Sequence, residues 1–113
     1  MEDRLIEILE SFGYPVYRQG SMSDDDKYPP TFFTFWNNNS YDHAHYSDSE
    51  YGIVWDFDVN IYSNNPSLTY SLLDDARIAL KESGWVVSGR GSDIPSDEDT
   101  HTGRGIEVIF VEF

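Results

Sequence analysis

The sequence predicts an α+β domain: a five-stranded sheet, mostly antiparallel with a mixed arrangement as the alternative, carrying two helices on one face. Three observations predict it. Residues 50–62 alternate apolar and polar side chains with a period of two, the mark of a strand with one buried and one wet face. Two other stretches, near residues 2–12 and 68–83, place apolar residues at helical spacing. The connections between apolar runs are mostly of hairpin length, which favours antiparallel neighbours. The predicted order is α-β-β-β-α-β-β.

The elements follow in chain order. In Glu2 to Phe12, Leu5, Ile6, Leu9 and Phe12 share a helical face. Glu2 and Asp3 suit the positive end of the helix dipole, and Gly13 followed by Pro15 ends the helix. Tyr14 to Gln19 is a short strand. Gly20 to Pro30 is a polar loop that closes on Tyr28-Pro29-Pro30, extended backbone by proline geometry. Thr31 to Asn37 is a strand with Phe32, Phe33, Phe35 and Trp36, apolar on both faces and so expected to be covered on both. Asn38 to Ser49 is a polar hairpin connection.

In the strand Glu50 to Tyr62, the residues Tyr51, Ile53, Trp55, Phe57, Val59 and Ile61 form the apolar face. Asn65 and Pro66 give a capping residue and a first helical position for Leu68 to Ser83, whose inner face is Leu72, Leu73, Ala76 and Leu80. Gly84 closes that helix. Trp85 to Arg90 is a strand, a Gly, Asp and Ser loop runs through Thr102, and Ile106 to Phe113 is the last strand. Gly103 and Gly105 read as a turn or bulge entering it. No linker divides residues 1–113, so a single domain is expected.

Composition narrows the function classes. The chain has 113 residues and 16% aromatics, enough for one core and against wholesale disorder. It has no cysteine, which excludes disulfides and thiolate metal sites. No apolar run reaches the roughly 20 residues that cross a bilayer, and Met1-Glu2-Asp3-Arg4 lacks a signal peptide's basic start. The net charge is −14, from 21 acids against 7 bases. Such a chain repels nucleic-acid backbone and anionic membrane. Asp24, Asp25, Asp26, Asp42, Asp48, Asp93, Asp97, Glu98 and Asp99 are assigned to loops, so the charge is read as acidic edges around a balanced core.

Catalytic chemistry finds little support. Asp42, His43, His45 and Asp48 resemble a metal cluster but lack a third firm ligand, and a polar hairpin tip is the simpler reading. Asp56 and Asp58 share a strand face, which the wet side of a half-buried strand explains. Asp97, Glu98 and Asp99 lack EF-hand spacing. His101 with Thr102-Gly103-Arg104-Gly105 lacks the lysine and the following helix of a phosphate loop. Ser92 or Ser96 with His101 and Asp99 lacks a nucleophile elbow. No catalytic residue, cofactor or metal ligand is assigned. The aromatics Tyr28, Trp36, Tyr41, Tyr46 and Tyr51 cluster around the second and third strands, where the alternatives are cover for a small core or a partner surface.

Three stretches carry a family resemblance: Tyr28-Pro29-Pro30-Thr31-Phe32-Phe33-Thr34-Phe35-Trp36-Asn37, Trp55-Asp56-Phe57-Asp58-Val59-Asn60-Ile61-Tyr62-Ser63-Asn64, and Asp97-Glu98-Asp99-Thr100-His101-Thr102-Gly103-Arg104-Gly105. With the leading helix and the Gly84-Trp85 helix exit, they resemble the tail-terminator or tail-completion proteins of long-tailed phages and prophages. The resemblance implies a sheet with two helices, and a hexameric ring that caps the head-proximal end of the tail tube. It implies a non-enzymatic virion protein, assembled in the host cytoplasm, whose partners are its own copies, the tail tube protein and the head connector, with DNA only as passing cargo and no membrane. A closed ring needs two different complementary patches per subunit. The residues assigned to such contacts are Trp36, Tyr41, His43, His45, Tyr46, Asp97, Glu98 and Asp99, with 38–49 as an arm. Alternatives are another head–tail connector or minor tail component, and an acidic DNA-mimic inhibitor.

Overall fold

In a computed structural model, residues 1–18, 29–42, 53–96 and 100–112 are described, with backbone alone at 39–42. The elements are α1 (Glu2–Glu10), β1 (Val16–Arg18), β2 (Thr31–Asp42), β3 (Ile53–Ser63), α2 (Pro66–Glu82), β4 (Val86–Ile94) and β5 (Thr102–Glu112). They form one sheet of five strands in the order β1-β2-β3-β5-β4. β1 runs parallel to β2, and the other three pairs are antiparallel. The fold is the expected α+β one, with the mixed sheet of the two arrangements.

Both helices lie on the same face. The core joins Leu5 and Leu9 of α1 and Leu72, Leu73, Ala76 and Leu80 of α2 to Phe33, Phe35, Phe57, Val59, Ile61, Val87, Ile106 and Val108 from the sheet. Phe57 sits at its centre, its ring 5.9 Å from Trp85 and 6.2 Å from both Phe35 and Trp55.

The caps explain the helix bounds. Asn65 accepts a hydrogen bond from the Ser67 N–H, and Pro66 occupies the first turn of α2. At its far end, Gly84 has φ +95°, its N–H donates to Lys81 O, and the Trp85 N–H donates to Leu80 O. That is a Schellman closure, in which a left-handed residue lets two otherwise orphaned carbonyls be satisfied. It spends Trp85 on the cap, so β4 starts one residue later than the sequence suggests. The entry to α2 is held by a buried pair, Thr31 Oγ1 and Ser63 Oγ at 2.8 Å, and Ser63 Oγ also accepts from the Asn65 N–H.

Three further bounds differ from expectation for physical reasons. β2 continues through a one-residue bulge at Asn38 to pair Asp42 with Ile53, so part of the polar 38–49 connection is strand; its remainder lies outside the described residues. β5 starts at Thr102 because Gly103 and Gly105 are strand residues, neither with positive φ. They are needed for close approach: a Cβ on Gly103 would stand 2.8 Å from the Tyr62 ring, and one on Gly105 would meet the Asn60 side chain. β4 runs on to Ile94 past a bulge holding Gly89 and Gly91 at positive φ. Asp42 and Asp93 are therefore strand residues and not loop acids.

Candidate functional site

The sheet face opposite the helices is the candidate assembly surface, and the register lays it out in bands. At one end, Phe32, Tyr62, Gly103 and Ile94 stand side by side on β2, β3, β5 and β4. The Phe32 and Tyr62 rings stack at 5.4 Å, and Tyr17 meets Phe32 edge-on at 5.8 Å. Next comes a polar, shallow band of Thr34, Asn60, Gly105 and Ser92. Then Trp36, Asp58, Glu107 and Ser88 align, and beyond them Asp56, Ile109 and Val86.

The middle of this face is electrostatically crowded. Asp58 stands directly across from Glu107, with Asp56 two residues away on the same side of β3. The Asp56 carboxylate, through its charge and a side-chain hydrogen bond, raises the pKa of Glu107 above the usual carboxylate value; burial and Asp58 add to it. The Asn38 amide, freed by the β2 bulge, donates to Asp58 Oδ1 at 2.9 Å and to Asp56 Oδ1 at 3.3 Å. The face also exposes large apolar groups: Trp36 is 51% exposed beside Asp58, and Val86 is 62% exposed on the outer strand.

Of the residues assigned to assembly contacts, Trp36 lies on this face. Tyr41 lies on β2 at the backbone position paired with Val54. His43, His45, Tyr46, Asp97, Glu98 and Asp99 lie outside the described residues, as do Asp24, Asp25, Asp26 and Asp48. The described acids thus include a strand-borne group, Asp56, Asp58 and Glu107, that a reading of acids as loop residues missed. Asp56 and Asp58 were legible as a pair; Glu107 joins them only through the β3–β5 register.

His101 has a structural assignment. Its Nε2–H donates to Pro29 O at 2.8 Å, which leaves Nδ1 to accept from Thr100 Oγ1 at 2.8 Å, and its ring lies 6.1 Å from Phe32. It ties the start of β5 to the start of β2. Arg104, from the same segment, is turned to the helix side. Among the described residues, no group of three or more His, Asp or Glu side chains is placed to hold a metal ion. Among the same residues, no helix is long and apolar enough to cross a membrane.

No family model and no curated protein matches the chain. Solved structures similar to it include a chain from an assembly described as the virion of a native gene transfer agent particle. The two are 15% identical, the match covers 92% of this chain and 81% of that chain, and the TM-score is 0.47. At that distance the likeness carries no argument about role.

Proposed function

We propose that this protein is a non-enzymatic virion component, and specifically a tail-terminator subunit that caps the head-proximal end of a tail tube as a ring. The observation that carries the reading is the sheet closed on one face by two helices, the arrangement the sequence resemblance implies. Two further features support it. A ring contact joins unlike patches, and the two sides of this molecule are unlike. The open face offers Trp36, Val86 and a carboxylate band, and the α2 side offers exposed Tyr70 and Ile78. The net charge of −14 suits a passage that DNA crosses without sticking, because like charges suppress binding. The proposed partners are copies of the chain, the tail tube protein and the head connector.

Deleting the gene tests the role. Electron micrographs of the lysate should show overlong tails and heads without tails. Tails of normal length joined to heads would overturn the reading.

A further inference from the structure

We propose that Arg104 is a pin that selects one of two registers for β4, and that the unpinned register opens the β4 edge to pairing with a second copy of the chain.

The bulge in β4 is unusual in size. From Ser88 to Ser92 the chain takes four steps while its partner β5 takes two, from Glu107 to Gly105. The excess is two residues. Side chains in a strand alternate with a period of two, so sliding Ser92–Ile94 by that excess along β5 removes the bulge without turning any side chain to the other face. In the slid register Gly91 stands opposite Arg104, and Asp93 opposite Thr102. The sequence therefore permits a second, regular β4 with the same inner and outer residues.

The two registers expose different edges. β4 is the last strand of the sheet, and its outer edge has no neighbour among the described residues. Bulged, it offers only the short runs Val86–Ser88 and Ser92–Ile94. Regular, it offers nine consecutive residues, Val86–Ile94, led by a Val86 side chain that is 62% exposed. A long, regular, partly apolar edge pairs with another strand, and bulges are a standard way of preventing this. The occupant that such an edge fits is the same edge of a second copy, since two identical edges meet antiparallel about a two-fold axis.

The bulged register forgoes the β4–β5 pairing between Ser88 and Ser92, a loss that something must offset. Gly89 and Gly91 sit at φ +65° and +93°, which glycine adopts without strain and which makes the bulge possible. Gly91 is pressed so closely that a Cβ there would lie 2.7 Å from Gly105 O and 2.9 Å from Leu73 Cδ2. Arg104 supplies the offset. Its Nη1 donates to Asp93 Oδ1 at 2.7 Å, and its Nη2 donates to Gly91 O at 3.1 Å and Arg90 O at 3.4 Å. Its guanidinium lies 4.3 Å from the centre of the Tyr70 ring on α2. The Arg104 side chain is 13% exposed and the Asp93 side chain 75%, so the guanidinium is mostly covered while the ion pair stays open to solvent. The ion pair depends on Asp93 facing Arg104, which the slid register forbids. Only the planar fork of arginine reaches a carboxylate and two carbonyls together.

Replacing Arg104 with methionine tests the pin. Arg104→Met keeps an apolar stem over Tyr70 and loses the ion pair and both carbonyl contacts. Its mass by sedimentation should rise with concentration above that of the wild-type protein, and amide exchange at residues 89–91 should change. Adding Val86→Lys should abolish the gain, so that the double variant has the mass of Val86→Lys alone at every concentration. A folded Arg104→Met with wild-type mass at every concentration overturns the proposal. So does a double variant whose mass still exceeds that of Val86→Lys alone. If Arg104→Met does not fold, Asp93→Asn, at a side chain 75% exposed, removes the ion pair alone and is judged by the same readings. The outcome does not depend on the ring reading, because each comparison is between two proteins that share residue 86 and differ only in the pin.

Discussion

The two faces of the sheet are built from the same strands and obey opposite rules. On β3, Phe57, Val59 and Ile61 are buried under the helices, while Asp56, Asp58 and Asn60 between them line the open side. The helix face is filled with interlocked rings and aliphatic groups that touch one another. The open face is banded: aromatic at one end, shallow and polar in the middle, then acidic beside Trp36. Stability should therefore concentrate on one side and recognition on the other.

The largest test of that contrast uses one ring from each face. Phe57→Ala leaves a cavity among Phe35, Trp55 and Trp85 and should cost about 3–5 kcal/mol of unfolding free energy, as large buried truncations do. Trp36→Ala removes a bigger side chain from a 51% exposed site and should cost less than about 0.5 kcal/mol. Under the ring reading the order reverses for assembly, with Trp36→Ala impairing it in a folded subunit. Urea unfolding of the two variants checks the first part, and equal costs would show that the open face is a second core.

A smaller effect is expected where the sheet hands the chain to α2. Ser63→Ala strips a partner from the buried Thr31 hydroxyl and from the Asn65 N–H. Unpaired buried polar groups make this cost roughly 1–3 kcal/mol. Thr31→Val with Ser63→Ala, which replaces both hydroxyls, should cost less than Ser63→Ala alone, and a double-mutant cycle measures the difference.

The helix face was legible in the sequence because its signals are local. The period of β3 placed Phe57, Val59 and Ile61, and the spacing of Leu72, Leu73, Ala76 and Leu80 placed α2. Asn65, Pro66 and Gly84 marked its ends through backbone chemistry that depends on nearest neighbours. The open face was not legible to the same degree. Gly103 and Gly105 read as turn residues, since local chemistry does not reveal that Tyr62 and Asn60 will lie over them. The β4 bulge was missed because Gly89 and Gly91 looked like the end of a strand, and only the register shows the strand resuming at Ser92. Arg104 gave one faint signal, a lone base between two glycines. Its role needed Asp93, Tyr70 and two carbonyls brought from other elements. The parallel pairing of β1 was likewise a matter of long-range topology, which periodicity does not carry.

The smallest predicted effect lies in the acidic band and has a definite sign. Asp56 is the main cause of the raised pKa of Glu107, by its charge first and by a hydrogen bond second. An acid whose pKa is higher in the folded than in the unfolded chain binds its proton more tightly when folded. It therefore weakens the fold above that raised pKa, and the penalty fades as pH falls through it. Asp56→Asn keeps an oxygen that can accept from the Asn38 amide and removes the charge facing Glu107. The variant should be slightly more stable than wild type at about pH 7, and the gap should narrow as pH falls through the raised pKa of Glu107. The gain is small because Glu107 is exposed and water screens the repulsion. Glu107→Gln should give a gain of similar size, and the two substitutions together should give less than their sum, since each removes the same repulsion. Additive gains would mean that the band's carboxylates act independently. A loss of stability in Asp56→Asn would mean that the Asn38 contact outweighs the crowding. The open face would then be held together by its charges and not strained by them.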